Sequence, residues 1–135
     1  MKILVDTQIF LWIFLEPKRF KTAARSFVED TKNHQFYLSH VSSWEISIKY
    51  GIKKIKLPKP PEELIQELLF VSDYNHLPIS LSHIFGVHSL PLIHRDPFDR
   101  LIISQAKTED MTLLTADKEL AKYDISVLRF SDIGK

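Results

Sequence analysis

KILVD, residues 2–6, opens the chain with three consecutive apolar residues, two of them β-branched, and closes them with a carboxylate. A run this short and apolar predicts a buried strand whose carboxyl end presents an acid. Working outward, helical spacing recurs over 8–15 and over 20–32, where Ala23, Ala24, Phe27 and Val28 share a face. QFYLS at 35–39 reads as a second strand, and Ser42 or Ser43 as the N-cap of a helix carrying Trp44, Glu45, Ile48 and Lys49. After KLPKPP, a helix opened by Pro61 runs through EELIQELLFVSDY with Leu64, Ile65, Leu68, Leu69 and Val71 as its apolar stripe. Short extended pieces at 76–79, 112–115 and 126–129 alternate with helices near 81–89, 97–109 and 118–122. Strands alternating with helices predict an α/β/α sandwich with a mainly parallel central sheet.

The 135 residues argue for one domain, long enough to bury roughly two-thirds of the surface its unfolded chain exposes. With 44% hydrophobic and 26% charged residues, the composition is that of an ordinary globular protein. Eighteen basic against seventeen acidic side chains leave +1, so a nucleic-acid or anionic partner must be met by a local patch. The absence of cysteine excludes disulfides and thiolate metal sites. The longest apolar run, IFLWIFL at 9–15, is far short of a bilayer span, and Asp6 falls too early for a secretory leader. These features place the chain in the cytoplasm, with no membrane association expected.

HRDPFDRLIISQA, residues 94–106, sets two aspartates three positions apart in front of an apolar helix. Asp96 followed by Pro97 has the form of an N-cap with proline at the first helical position. Asp99 then falls in the first turn, near the positive end of the helix dipole. An acidic first turn is ordinary helix chemistry, so this block alone decides nothing.

Position in the sheet gives the acids more meaning. Ligands of open parallel sheets gather at the carboxyl ends of the strands, where strand order reverses. Asp6 ends the first strand and Asp117 follows TLLT by two residues, while Glu45 and Asp99 fall in the first turns of helices adjoining the sheet. Each has a bland alternative: Asp6 capping a turn, Glu45 paired with Lys49 at i,i+4, Asp117 capping a helix from Lys118. Convergence of all four is harder to explain by capping, because two carboxylates about 4 Å apart repel by roughly 4 kcal/mol at an effective dielectric near 20. Such a bare cluster is strongly unfavourable or partly protonated, and it would need a cation. With oxygen ligands, and no histidine or cysteine at metal-ligand spacing, Mg²⁺ or Mn²⁺ fits better than zinc. A hard divalent ion among carboxylates points to phosphodiester hydrolysis. No Walker-type, Gly-rich or Ser/His/Asp pattern competes, and the chain has only three glycines.

LVDT at 4–7, SSWEI at 42–46, RDPFDRLIISQA and LLTADKEL at 113–120 resemble, in order and spacing, the blocks of PIN-domain ribonucleases, in particular the VapC toxins of type II toxin-antitoxin systems. The resemblance implies one PIN-like domain over 1–135, a Mg²⁺-dependent endoribonuclease that hydrolyses RNA, a homodimer, and inhibition by a VapB-type antitoxin. Carried over block by block, it implies Asp6, Glu45, Asp99 and Asp117 as metal-binding and catalytic acids, with Mn²⁺ able to substitute. It favours Asp99 over Asp96 as the ligand of its block, leaving Asp96 as a cap or supporting acid. Thr7 and Thr115 are placed to hold the carboxylates from behind. Gln8 departs from the family, in which many members carry histidine after the Asp-Thr pair.

Lys49, Lys53, Lys54, Lys56 and Lys59 form a basic run after Glu45. They, with Arg95 and Arg100, are candidates for RNA phosphate contacts, against a solvated helix end for the lysines and salt bridges to neighbouring aspartates for the arginines. Trp12 and Trp44 are expected in the core or at an interface, and the six histidines in structural or surface roles. Two other classes stay open: a phosphatase forming an aspartyl-phosphate on Asp6, which wants a second acid where Gln8 stands, and a non-catalytic interaction module.

Overall fold

Strand β1, Lys2–Val5, lies at the centre of the sheet, its last three residues fully buried, as the apolar run of the opening segment requires. A computed structural model describes residues 1–134. Strands β2 (Gln35–Ser39), β3 (Asn75–Leu77), β4 (Thr112–Thr115) and β5 (Val127–Arg129) join β1 in the order β3-β2-β1-β4-β5. Every pairing is parallel, so the mainly parallel sheet of the sequence reading is wholly parallel among the described residues.

Around it pack helices α1 (Thr7–Leu15), α2 (Thr22–Glu29), α3 (His40–Gly51), α4 (Pro61–Ser72), α5 (Leu81–Gly86) and α6 (Pro97–Thr108). Alternation along the strands divides the core into two layers. Ile3, Val5, Phe36, Leu38 and Leu114 meet Ile9, Phe10, Ala24, Val28, Ile65 and Leu69 of α1, α2 and α4 on one face. Leu4 and Leu113 meet Leu90, Ile102, Ile103 and Ala106 on the other, where α6 lies. This is the predicted three-layer α/β/α sandwich. No helix among the described residues is long and apolar enough to cross a membrane.

Several boundaries differ from the sequence reading. The helix expected over 20–32 spans only Thr22–Glu29. Residues 81–89 divide into α5 and a 3₁₀ turn at Val87–Ser89, and the helix expected at 118–122 is a 3₁₀ turn at Leu120–Lys122. The shift that matters is in α3. Its N-cap is Ser39, the last residue of β2, whose hydroxyl accepts from the Val41 amide at 2.9 Å. Strand passes into helix with no connecting loop, so the helix begins before Ser42 and Glu45 falls in its second turn rather than its first.

The strand order reverses between β1 and β4. From β1 the chain moves to β2 and β3 on one side, and β4 returns on the other. Val5 pairs with Leu114, and the Asp6 amide donates to the Leu114 carbonyl at 3.0 Å. The carboxyl ends of the two central strands therefore deliver Asp6 and Thr115 side by side, where open parallel sheets place their ligands.

Candidate functional site

Asp6 links strand to helix and is 7% exposed. Its Oδ1 caps α1 by accepting from the Ile9 amide at 2.8 Å, and its Oδ2 accepts a short hydrogen bond from the Thr115 hydroxyl. Thr115 in turn accepts from the Asp117 amide at 3.0 Å, so one buried hydroxyl ties the two strand-end acids together. Asp117 Oδ1 accepts from the Glu119 amide at 2.9 Å, closing the turn that leads into the 3₁₀ segment Leu120–Lys122 rather than capping an α-helix from Lys118.

The HRDPFDR block divides its labour. Asp96 caps α6 through Oδ1, which accepts from the Phe98 amide at 2.9 Å. Asp99, in the first turn of the helix, reaches the same cavity as Asp6. That cavity, of about 230 Å³, is lined by Asp6, Glu45, Asp96, Asp99, Asp117 and Lys49 among others. All four acids singled out in the sequence thus converge with Asp96 on one concavity.

The electrostatics of the cavity are strained. Burial pushes Asp99 up to about 7, helped by repulsion from Asp96, Glu45 and Asp6 and opposed by His94. Burial raises Asp6 to about 6 against the hydrogen bonds from Thr115 and the Ile9 amide, with Asp117 and Glu45 adding to the rise. Glu45 is 6% exposed, and its Oε1 has no hydrogen-bond partner among the described residues. Its Oε2 accepts from Lys49 Nζ at 2.7 Å.

A histidine, absent from the sequence assignment, joins the acids. His94 Nε2 lies 3.3 Å from both Asp99 Oδ2 and Asp117 Oδ2, and the ligand-capable atoms of these three residues fall within 4.8 Å of one another. The expectation that no histidine accompanies the acids is therefore corrected. Its chemistry is nevertheless that of a donor. His94 Nδ1 accepts from the Asp96 amide at 3.1 Å, which leaves the ring proton on Nε2, facing the two carboxylates. The sequence signal was its place two residues before the Asp-Pro cap, but nothing local says that the ring turns inward.

Other assignments move. Arg100, a candidate for RNA contact, is 9% exposed and both Nη atoms of its guanidinium are engaged inside. Nη1 donates to the Pro91 and His94 carbonyls at 2.9 and 3.3 Å, and Nη2 to Val87 and Leu90 at 3.1 and 3.3 Å. The arginine fastens the segment that carries His94, and it is withdrawn from the RNA set. The Thr7 hydroxyl donates to Ser42 at 2.8 Å, joining α1 to α3, rather than to a carboxylate. Lys49 pairs with Glu45 in the cavity, while Lys53, Lys54 and Arg95 are exposed. Lys59 pairs with Glu67 at 2.7 Å. Trp12 packs edge-on against Phe130, whereas Trp44 is 53% exposed beside Phe98, outside the core.

A cluster of carboxylates in which Asp6 and Asp99 have raised proton affinity and Glu45 keeps a buried, unpartnered oxygen is short of positive charge. The donors are hard oxygens, which suit Mg²⁺ or Mn²⁺.

Comparison with known proteins bears on the fold. The PIN domain family model matches residues 3–126. Among solved structures, the chain is similar to VapBC2 from Rickettsia felis bound to a DNA fragment from its promoter, with 20% identity, 96% of this chain and 98% of that chain covered, and a TM-score of 0.72. It is also similar to DNA-bound VapBC from Salmonella typhimurium, with 17% identity, 96% and 98% coverage and a TM-score of 0.68. FitAcB from Neisseria gonorrhoeae aligns with 19% identity, 97% and 99% coverage and a TM-score of 0.64. At these identities the structural likeness establishes the architecture alone. No curated protein matches the chain in sequence.

Proposed function

We propose that this chain, which belongs to the PIN domain family, is a Mg²⁺-dependent endoribonuclease and the toxin of a type II toxin-antitoxin pair, acting as one PIN-like domain over residues 1–135. The observation that carries this reading is the buried, unpartnered Oε1 of Glu45 in a cavity walled by five carboxylates. Leaving such an oxygen desolvated and uncompensated is costly. A hard divalent cation relieves that cost and the repulsion among its neighbours at once.

In this reading Asp6, Asp99, Glu45 and Asp117 hold the ion, and Mn²⁺ substitutes for Mg²⁺. When bound, the ion activates a water for attack and neutralises charge on the scissile phosphate. The chain's own groups prepare the site. Thr115 and the Ile9 amide fix the Asp6 carboxylate, and Asp96 anchors the first turn of α6 so that Asp99 keeps its place. His94 bridges Asp99 and Asp117, holding two acids that would otherwise repel. The exposed Lys53, Lys54 and Arg95 are the remaining candidates for RNA phosphate contacts.

The VapBC complexes among the structural neighbours support a VapB-type antitoxin as partner. Homodimerisation and a cytoplasmic location accompany this reading. Sequencing of RNA 5′ ends after brief induction tests it: wild type should create a discrete set of new ends, and Asp6→Asn should create none. Identical ends from both chains would contradict the assignment.

A further inference from the structure

Among the described residues, Lys49 is the one lysine or arginine lining the acid cavity. As a helix pair with Glu45 at i,i+4 it has an ordinary explanation, worth a few tenths of a kcal/mol at a surface. Three features set it apart from an ordinary pair. Its partner is buried, so the ammonium at 2.7 Å offsets a desolvated charge. It occupies only one oxygen of Glu45 and leaves Oε1 unpartnered. Its own side chain stays 43% exposed, so the ammonium reaches the cavity while remaining in contact with water and free to move away.

We propose that Lys49 is a built-in competitor for the divalent ion: its ammonium partly neutralises the cavity through Glu45, holds the metal-free pocket together, and lowers the affinity with which a divalent cation is taken up. The inference rests on the metal-centre reading above. Physically, an ammonium and a divalent ion on the same carboxylate repel each other, and the pocket must surrender part of one attraction to gain the other. Lys49 therefore acts through Glu45, as a positioning residue that makes the metal exchangeable.

Manganese titration, followed by the EPR signal of free Mn²⁺ and by calorimetry, separates this role from that of a surface helix pair. Lys49→Met should bind Mn²⁺ about tenfold more tightly than wild type, while Lys49→Arg, which keeps the charge, should stay within twofold. Lys49→Gln, which keeps much of the stem, serves as the second neutral variant should Lys49→Met fold poorly. Thermal unfolding adds a second signature. The neutral variants should melt lower than wild type in EDTA, yet gain more from saturating Mn²⁺. An ordinary surface pair would lower both melting temperatures equally and leave the affinity unchanged.

Affinity for Mn²⁺ that is unchanged or weaker in the neutral variants, with wild type still binding, overturns the role of Lys49 and leaves the metal centre standing. A wild-type chain that binds no Mn²⁺ overturns both.

Discussion

Two groups of polar side chains, each with buried members, flank α6. On the α5 side, Gln105 Oε1 accepts from Ser39 at 2.5 Å, Gln105 Nε2 donates to the Pro78 carbonyl at 3.3 Å, and Ser104 donates to the His83 carbonyl at 2.5 Å. Arg100 adds four carbonyl contacts, while His83 Nε2, 3.5 Å from the Glu109 carboxylate, lacks a hydrogen-bond partner among the described residues. On the Asp6 side, five carboxylates line one cavity with a lysine and a histidine as their charged or chargeable donors. Both groups are polar and at least partly buried. The first matches its donors, the Arg100 cation included, to carbonyl and amide acceptors and serves as scaffold; the second gathers carboxylates whose negative charge its donors do not balance. Imbalance of charge, not polarity or burial, distinguishes a site for chemistry from a structural network.

That contrast is broken or sharpened by substitution on either side. The largest effect falls on catalysis. Purified Asp6→Asn should lose RNA cleavage by on the order of 10³-fold, with a circular dichroism spectrum like that of wild type. On the scaffold side the effect is on stability. Arg100→Met strips the donors from four carbonyls of the 87–94 segment, which should cost ~3 to 5 kcal/mol in urea unfolding. Were Arg100→Met stable and Asp6→Asn unfolded, the division of roles would be reversed.

The acid cavity should also make the metal-free protein sensitive to pH in an unusual direction. An acid with a raised pKa stabilises the fold while protonated; that contribution is whole below the ordinary value of 3.8 and is lost as pH climbs through the folded-state value. For Asp6 the rise from 3.8 to about 6 corresponds to on the order of 3 kcal/mol. Asp99, raised to about 7, extends the loss towards neutrality. Unfolding in EDTA should therefore show stability falling between about pH 4 and pH 7, and Asp6→Asn should flatten the first part of that slope. A wild-type profile that rises over this window would count against the strained cavity.

The smallest expected effect concerns His94. Removing its bridge in His94→Ala should weaken Mn²⁺ binding by roughly 10- to 100-fold, as loss of a group that orients metal ligands generally does. His94→Gln, whose amide can donate from a similar position, should stay within a few-fold. Equal loss in both variants would show that the ring is needed for something other than its Nε2 proton.

Legibility in the sequence followed the range of the interactions. β1 and the acid after it were readable because burial and the end of the strand are written in consecutive residues, and Asp96 because Asp-Pro is a local cap. The alternation of strands and helices was enough for the sandwich and for the gathering of acids at one end of the sheet. Glu45 was placed one turn early because nothing in QFYLSHVSSWE marks a strand that becomes a helix without a loop. Arg100 and His94 were misjudged for a different reason. Their partners are backbone carbonyls and carboxylates brought together by the 87–94 segment folding over α6, and a charged side chain in sequence gives no sign of whether it will be met by water or by carbonyls. Lys49 was visible as a partner of Glu45, but its meaning depended on Glu45 being buried.

The most direct measurement is anomalous diffraction at the manganese edge from crystals soaked in Mn²⁺. A peak inside the cavity, bonded to Asp6 and Asp99 and absent from Asp6→Asn crystals, is the predicted result. A soaked wild-type crystal with that cavity empty, or with manganese bound only elsewhere on the surface, would contradict the account.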